Sequence, residues 1–220
     1  MLRSFTKSVL TLLMVAGLAT LSMAQDDDMT RPITKSGSAA FLFNISGIGT
    51  FGMSAQPIGT VSNGSTSQTV AGVGMKYYIS DGGALKLLLA FATTDNGATD
   101  DANSVSGMQL GIGAIYEHHF GPLYSTSPYV GGGLRYAMAS STSGTGTAER
   151  KDNGSQLSIG VVAGFDWFFT KGLALGAEYN LGYTMNSSGG STGGTDDADH
   201  ASPSAIGIGG GGSVHFLAYF

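Results

Sequence analysis

Cysteine is missing from all 220 positions, which excludes a disulfide framework and structural zinc of the cysteine type. Charge is scarce as well. Asp, Glu, Lys and Arg together make up 11% of the chain, less than half the usual share of about 25% in a soluble globular protein. A basic excess is also lacking, since 10 Lys and Arg face 15 Asp and Glu, and a basic patch is what nucleic-acid binding needs. Long apolar runs are missing beyond the N-terminus, where Val9 to Leu21 gives 13 residues against the roughly 20 of a membrane-spanning helix. Yet aromatics reach 10%, too many for a disordered chain. The 36 glycines follow no three-residue period, so collagen is excluded too.

Residues 1–24 carry an export address. Arg3 and Lys7 precede the apolar stretch, and Ser22 and Ala24 supply small residues at the −3 and −1 positions of a cleavage site. No cysteine follows, so a lipoprotein anchor is excluded. Removal of Arg3 and Lys7 leaves 8 basic against 15 acidic side chains, a net charge of −7. Residues 25–37, opening on Gln25-Asp26-Asp27-Asp28, read as a flexible segment, and 38–220 as the folded domain.

From residue 38 the chain alternates with period two. In 157–169, Leu157, Ile159, Val161, Ala163, Phe165, Trp167 and Phe169 oppose Ser158, Gly160, Val162, Gly164, Asp166 and Phe168. The same reading predicts eight strands: 38–53, 68–79, 84–94, 107–120, 128–139, 156–169, 173–186 and 204–220. Each meets the 9–11 residues or so of a tilted membrane strand. Connections alternate short (80–83, 121–127, 170–172) and long (54–67, 95–106, 140–155, 187–203). Asn63-Gly64, Asn96-Gly97 and Asn153-Gly154 place tight-turn dipeptides in long loops.

The second face of these strands decides the architecture. It is largely glycine: Gly72, Gly74, Gly111, Gly113, Gly131, Gly133, Gly160, Gly164, Gly207, Gly209 and Gly211. Exposed to water, such a face would weaken every strand. Inside a narrow barrel it relieves crowding around the axis. The apolar face then points outward, which lipid alone tolerates. A soluble sandwich and a lipocalin-like barrel fail by this argument. The expectation is an all-β, eight-stranded antiparallel up-and-down transmembrane barrel.

On these segments the chain resembles the small eight-stranded bacterial outer-membrane barrels of the OmpA-like and OmpX-like type. The ending Ser213-Val-His-Phe-Leu-Ala-Tyr-Phe220 resembles the terminal signal read by the outer-membrane assembly machinery, with Ala218 smaller than the pattern's usual residue. Nothing follows Phe220, so the peptidoglycan-binding domain of full-length OmpA proteins is not expected. The resemblance implies a bacterial outer-membrane location, both termini periplasmic, long loops extracellular, and lipid and lipopolysaccharide as surroundings.

Assigning the glycine face to the lumen places Lys76, Lys86, Glu117, Arg135, Asp166 and Glu178 inside, near the short-turn end. Three cations and three anions can pair, and a buried charge must find a partner. Tyr78, Leu88, Ile115, Tyr129, Phe168, Leu217 and Tyr219 fill the same end, so a plug is expected, with a glycine-lined vestibule on the loop side. His215 faces this belt. Arg135 is expected to pair with Glu117 or Glu178, and the lysines to balance Asp166 and the remaining glutamate. Tyr77, Tyr116, Trp167 and Phe220 read as an aromatic girdle at the periplasmic interface.

Other constellations carry less. His118 and His119 alternate faces, and His200 lies in a loop near Asp196, Asp197 and Asp199. No Ser/His/Asp set assembles from strand ends, so no enzyme is expected. The clusters Asp95/Asp100/Asp101 and Asp196/Asp197/Asp199 lack the ordered spacing of a calcium loop. Gly47-Ile-Gly-Thr-Phe-Gly52 matches GxGxxG but opens no helix, so no dinucleotide site is expected. The functional expectation is a structural or surface-interaction barrel with a plugged lumen, no cofactor, no metal and no nucleic-acid partner. Its rivals are a narrow channel for small or apolar solutes, as in OmpW-like barrels, and a loop-mediated adhesin whose surface ligand the sequence leaves unknown.

Overall fold

A computed structural model describes residues 34–52, 70–95, 105–121, 123–144, 149–192, 195–196 and 205–220. The strands are β1 (Ala39–Gly52), β2 (Val70–Ser80), β3 (Gly83–Asp95), β4 (Val105–His119), β5 (Thr126–Ser143), β6 (Arg150–Thr170), β7 (Leu173–Thr192), the two-residue β8 (Thr195–Asp196) and β9 (Ala205–Tyr219). Every long strand pairs antiparallel with its sequence neighbour. β9 pairs with β7 on one side and β1 on the other, which closes the sheet into a ring of eight long strands. β8 only extends the end of β7, through Ser191 and Thr192. Closure gives each of the eight long strands a hydrogen-bonded neighbour on both sides, so the wall needs no outside partner for its paired backbone.

The two faces are inverted relative to a water-soluble protein. Ile159, Val161, Phe165 and Trp167 of β6 point outward and are exposed, as are Leu85, Leu87, Leu89 and Phe91 of β3. Lys76, Lys86, Glu117 and Asp166 point inward and are fully buried. Alternation at period two forces this split, because successive side chains leave opposite faces of a strand. A small lumen follows from what lines it. Gly133, Gly160, Gly182 and Gly209 are consecutive cross-strand partners on β5, β6, β7 and β9. A Cβ at Gly160 would lie 2.6 Å from the Leu181 carbonyl oxygen and 2.8 Å from the Gly182 Cα. The wall curves tightly there, and no larger residue fits without moving backbone.

Short turns join the strands at one end. Asp81-Gly82 links β2 to β3, and Gly82 adopts φ +79°, the left-handed region that glycine enters without a Cβ penalty. Its carbonyl accepts the His119 amide at 2.6 Å, tying the β2–β3 turn to the end of β4. Lys171-Gly172 links β6 to β7. Between β4 and β5 the turn is longer, held by reciprocal bonds between Leu123 and Thr126 at 2.8 and 2.9 Å, with Tyr124 at φ 56°.

Strand ends on the opposite side differ from the sequence expectation. β5, β6 and β7 run further, to Ser143, from Arg150 and to Thr192. Asn153-Gly154, expected as a turn, lies inside β6, paired with Ser140 and Ala139 of β5 and with Gly189 and Ser188 of β7. The reason is physical: beyond the apolar band both faces of a strand meet water, so hydrogen-bonded pairing continues after the hydrophobic alternation has stopped. Asn63-Gly64 and Asn96-Gly97 lie outside the described residues, as do residues 1–24, where an export address is expected, and most of segment 25–37.

Candidate functional site

The inward face at the short-turn end is a dense polar cluster. Its construction starts from an apparent conflict: Lys76 of β2 and Lys86 of β3 are direct cross-strand partners. Like charges so placed repel. Glu117 on β4 resolves this, because its Oε2 lies 2.7 Å from Lys76 Nζ and its Oε1 2.5 Å from Lys86 Nζ. Each lysine then reaches across the narrow lumen to a second acid. Lys76 Nζ donates to Asp166 Oδ2 of β6 at 2.7 Å, and Lys86 pairs with Glu178 of β7. Both cations also sit over the Tyr129 ring, at 4.7 and 5.6 Å from its centroid, a contact that adds to stability when desolvated.

Hydroxyls and imidazoles use the remaining lone pairs. Tyr129 donates to Glu178 Oε2 at 3.1 Å, and Ser213 donates to Glu178 Oε1 at 3.3 Å. His215 Nε2 lies 3.0 Å from Asp166 Oδ1. His119 bridges Glu117 Oε2 at 3.3 Å and Ser127 Oγ at 2.8 Å. Tyr78 hydroxyl completes the cluster, 3.2 Å from His119 Nε2 and 3.4 Å from the Tyr219 hydroxyl. Glycine makes the room. A Cβ at Gly176 would overlap the His215 ring and press on Asp166 Oδ1, 2.7 Å away. Tyr78, Leu88, Ile115, Tyr129, Phe168, Leu217 and Tyr219 are buried in the same interior.

Arg135 stands apart from this cluster. Its Nη2 is 3.7 Å from Glu178 Oε1, longer than a charge-assisted hydrogen bond, and Glu117 pairs with the two lysines instead. Of the histidines, His118 faces outward, edge-on to Phe120 at 5.6 Å between centroids, while His200 lies outside the described residues. The two acidic clusters fall largely outside them as well, and no group of three metal-ligating side chains occurs among the described residues. Tyr77, Tyr116, Trp167 and Phe220 all face outward and are exposed. They belong to an aromatic band in which Phe41 meets Phe220 at 5.0 Å and Phe169 links Trp167 and Phe216 at 6.0 and 6.1 Å. Ala218, on the same outer face, pairs with Phe41 and Leu173 and is buried.

Sequence reasoning passed over three members of the cluster: His119, Ser127 and Ser213. The signal for His119 was present, since it follows Glu117 by two residues and so shares its face. Ser127, His119 and Glu117 stand in hydrogen-bonded sequence, a set with glutamate in place of the aspartate of the Ser/His/Asp arrangement that the strand ends did not offer. Ser127 is fully buried, and Glu117 is held by two lysines.

A closed antiparallel barrel with an apolar outer face, an aromatic band at one end and charge buried along its axis is a transmembrane barrel built for lipid outside and side chains within. The chain belongs to the outer membrane protein beta-barrel domain family, whose model matches residues 10–213. Its location is therefore the bacterial outer membrane. Solved structures similar to it include OprG from Pseudomonas aeruginosa, at 17% identity and TM-score 0.45, covering 84% of this chain and 97% of that one. The N-terminal barrel domain of Pseudomonas aeruginosa OprF is 17% identical with TM-score 0.38, covering 82% and 98%. Ail, the attachment invasion locus protein of Yersinia pestis, is 12% identical with TM-score 0.39, covering 84% and 99%. No curated protein matches the sequence.

Proposed function

We propose that the protein is a closed outer-membrane barrel with a structural or surface-interaction role, its lumen plugged by the charge network. One observation carries this reading: Lys76, Lys86, Glu117 and Asp166 are wholly buried and mutually paired, with aromatic and aliphatic side chains packed around them. Ion passage would require these charges to separate inside a low-dielectric wall, at a cost of several kcal/mol per ion. The reading is non-catalytic and involves no cofactor. The long-loop side faces outward toward lipopolysaccharide, the short turns and both termini face the periplasm, and Phe220 serves the assembly machinery. The aromatic band at the short-turn end supports this orientation, with Tyr77, Tyr116, Trp167 and Phe220 at the periplasmic lipid interface.

Liposomes carrying the refolded barrel test the plug. In isosmotic glycine they should swell no faster than protein-free liposomes. Swelling well above that baseline would instead support the narrow-channel reading.

A further inference from the structure

One stretch of the lipid-facing wall is hollow. The outward positions of β5 and β6 carry mostly large apolar side chains, but Gly132 and Ala163 stand there without one. Gly132 is the cross-strand partner of Tyr116 and Val161, and Ala163 of Val130 and Tyr179. A Cβ at Gly132 would meet the Gly160 carbonyl oxygen at 3.3 Å and no other described atom within 4 Å. Tyr116 and His118 of β4 rise on one side of this floor, and Tyr179 and Leu181 of β7 on the other. The two walls are three strand spacings apart, roughly 14 Å at the backbone. The slot between them holds about 520 Å³, inside the roughly 300–1,000 Å³ of small-molecule sites, which share its apolar and aromatic lining.

Polar groups gather at the short-turn end of the slot. His118 is exposed there, and its partner across the ladder to β3 is Gly83. A Cβ at Gly83 would collide with Ser80 Oγ and lie 3.0 Å from the Tyr116 hydroxyl. Those two hydroxyls therefore converge over the bare glycine beside His118. Toward the loops the slot runs out between Leu134 and Ile159, both outward and exposed. It is apolar along its length and rich in donors at one end, the profile of a molecule with one polar head and a long apolar tail. Because it opens on the outer face of the barrel, its occupant comes from the bilayer. The turn beside the donors carries Asp81, which accepts the Ser36 amide at 3.0 Å. An acid there disfavours a head of net negative charge and suits one with an ammonium next to its phosphate.

We propose that this slot binds the acyl chain of one phospholipid, its phosphate received by Ser80, Tyr116 and His118 and its ammonium lying over the β2–β3 turn. Within a bilayer no hydrophobic gain distinguishes the slot from the wall around it. What retains a lipid here is the packing contact of a recess, which a smooth wall lacks, together with hydrogen bonds to a charged head. That the head lies in the periplasmic leaflet rests on the orientation proposed above. The two ideas fail separately, since labelling of intact cells tests orientation and lipid retention tests the slot.

The test is native mass spectrometry of the refolded barrel in detergent micelles doped with equal amounts of phosphatidylethanolamine, phosphatidylglycerol and phosphatidylcholine of the same chains. The wild type should retain one phosphatidylethanolamine, several-fold more often than either other lipid. A163F fills the slot from an exposed outward position and should lose this adduct, whereas V73F, outward on β2, should keep it. Because a bulky residue can upset assembly, H118A carries the test independently and should weaken retention several-fold with the slot intact. Equal retention of the three lipids, or an adduct that survives both A163F and H118A, would overturn the proposal. Paired barrels that A163F separates would assign the slot to a second copy of the chain and overturn it as well.

Discussion

Lys76 and Arg135 differ in what they leave behind when removed. Lys76 is fully buried and meets two carboxylates at 2.7 Å each, whereas Arg135 retains partial exposure and one contact at 3.7 Å. Truncating one partner of a buried pair costs about 3–5 kcal/mol because the other charge is stranded. K76A is therefore expected to lose about that much in urea unfolding of the vesicle-folded barrel, and R135A clearly less. Equal losses would mean that the two cations are held alike. Glycine gives a second contrast. G176A would drive a Cβ into the His215 ring, while Gly189 has nothing within 4 Å of such an atom. Overpacking of this kind costs about 1–3 kcal/mol, so G176A should be destabilised and G189A nearly neutral in the same assay. At this scale the inward assignment of the six charges followed from parity alone. Which acid meets which lysine did not, because that depends on how far tilted strands slide past one another. Glu117 serves both lysines only because three strands bring their side chains to one point.

Among the elements, β6 shows both what alternation reveals and where it stops. Its middle, from Leu157 to Phe169, keeps apolar residues on the outer face, and Val161 there is among the more exposed. Arginine on the lipid face near the bilayer midplane costs about 2–4 kcal/mol and close to the interface about 0–1. V161R should fall in the first range and T170R, at the end of β6 beside the Lys171-Gly172 turn, in the second. Similar costs would contradict the lipid-facing assignment of Val161. The start of β6 was not legible, since Arg150, Lys151, Asp152 and Asn153 carry no apolar alternation. That stretch nevertheless offers a test of orientation. Beyond residue 24 the lysines are Lys35, Lys76, Lys86, Lys151 and Lys171, and two of these are buried. A membrane-impermeant amine reagent applied to intact cells should label Lys151 and spare Lys35 and Lys171. Labelling of Lys171 with Lys151 protected would invert the proposed topology.

For the whole molecule, the governing fact is the inversion of faces. Few charges, abundant glycine and moderate hydropathy make sense together once lipid is the outer solvent and a narrow lumen the inner one. Composition and alternation were enough to reach the barrel and its eight strands. The hydroxyl partners of the network needed the ring to close, because they join residues from strands far apart in sequence. The central claim is that this closed ring has no open path along its axis. The direct measurement is the conductance of the refolded wild-type barrel in a planar bilayer, recorded beside K76A. The wild type should show no resolved steps or only rare small ones, and K76A should leak more. Large, steady wild-type conductance, unaffected by loss of Lys76, would contradict the account.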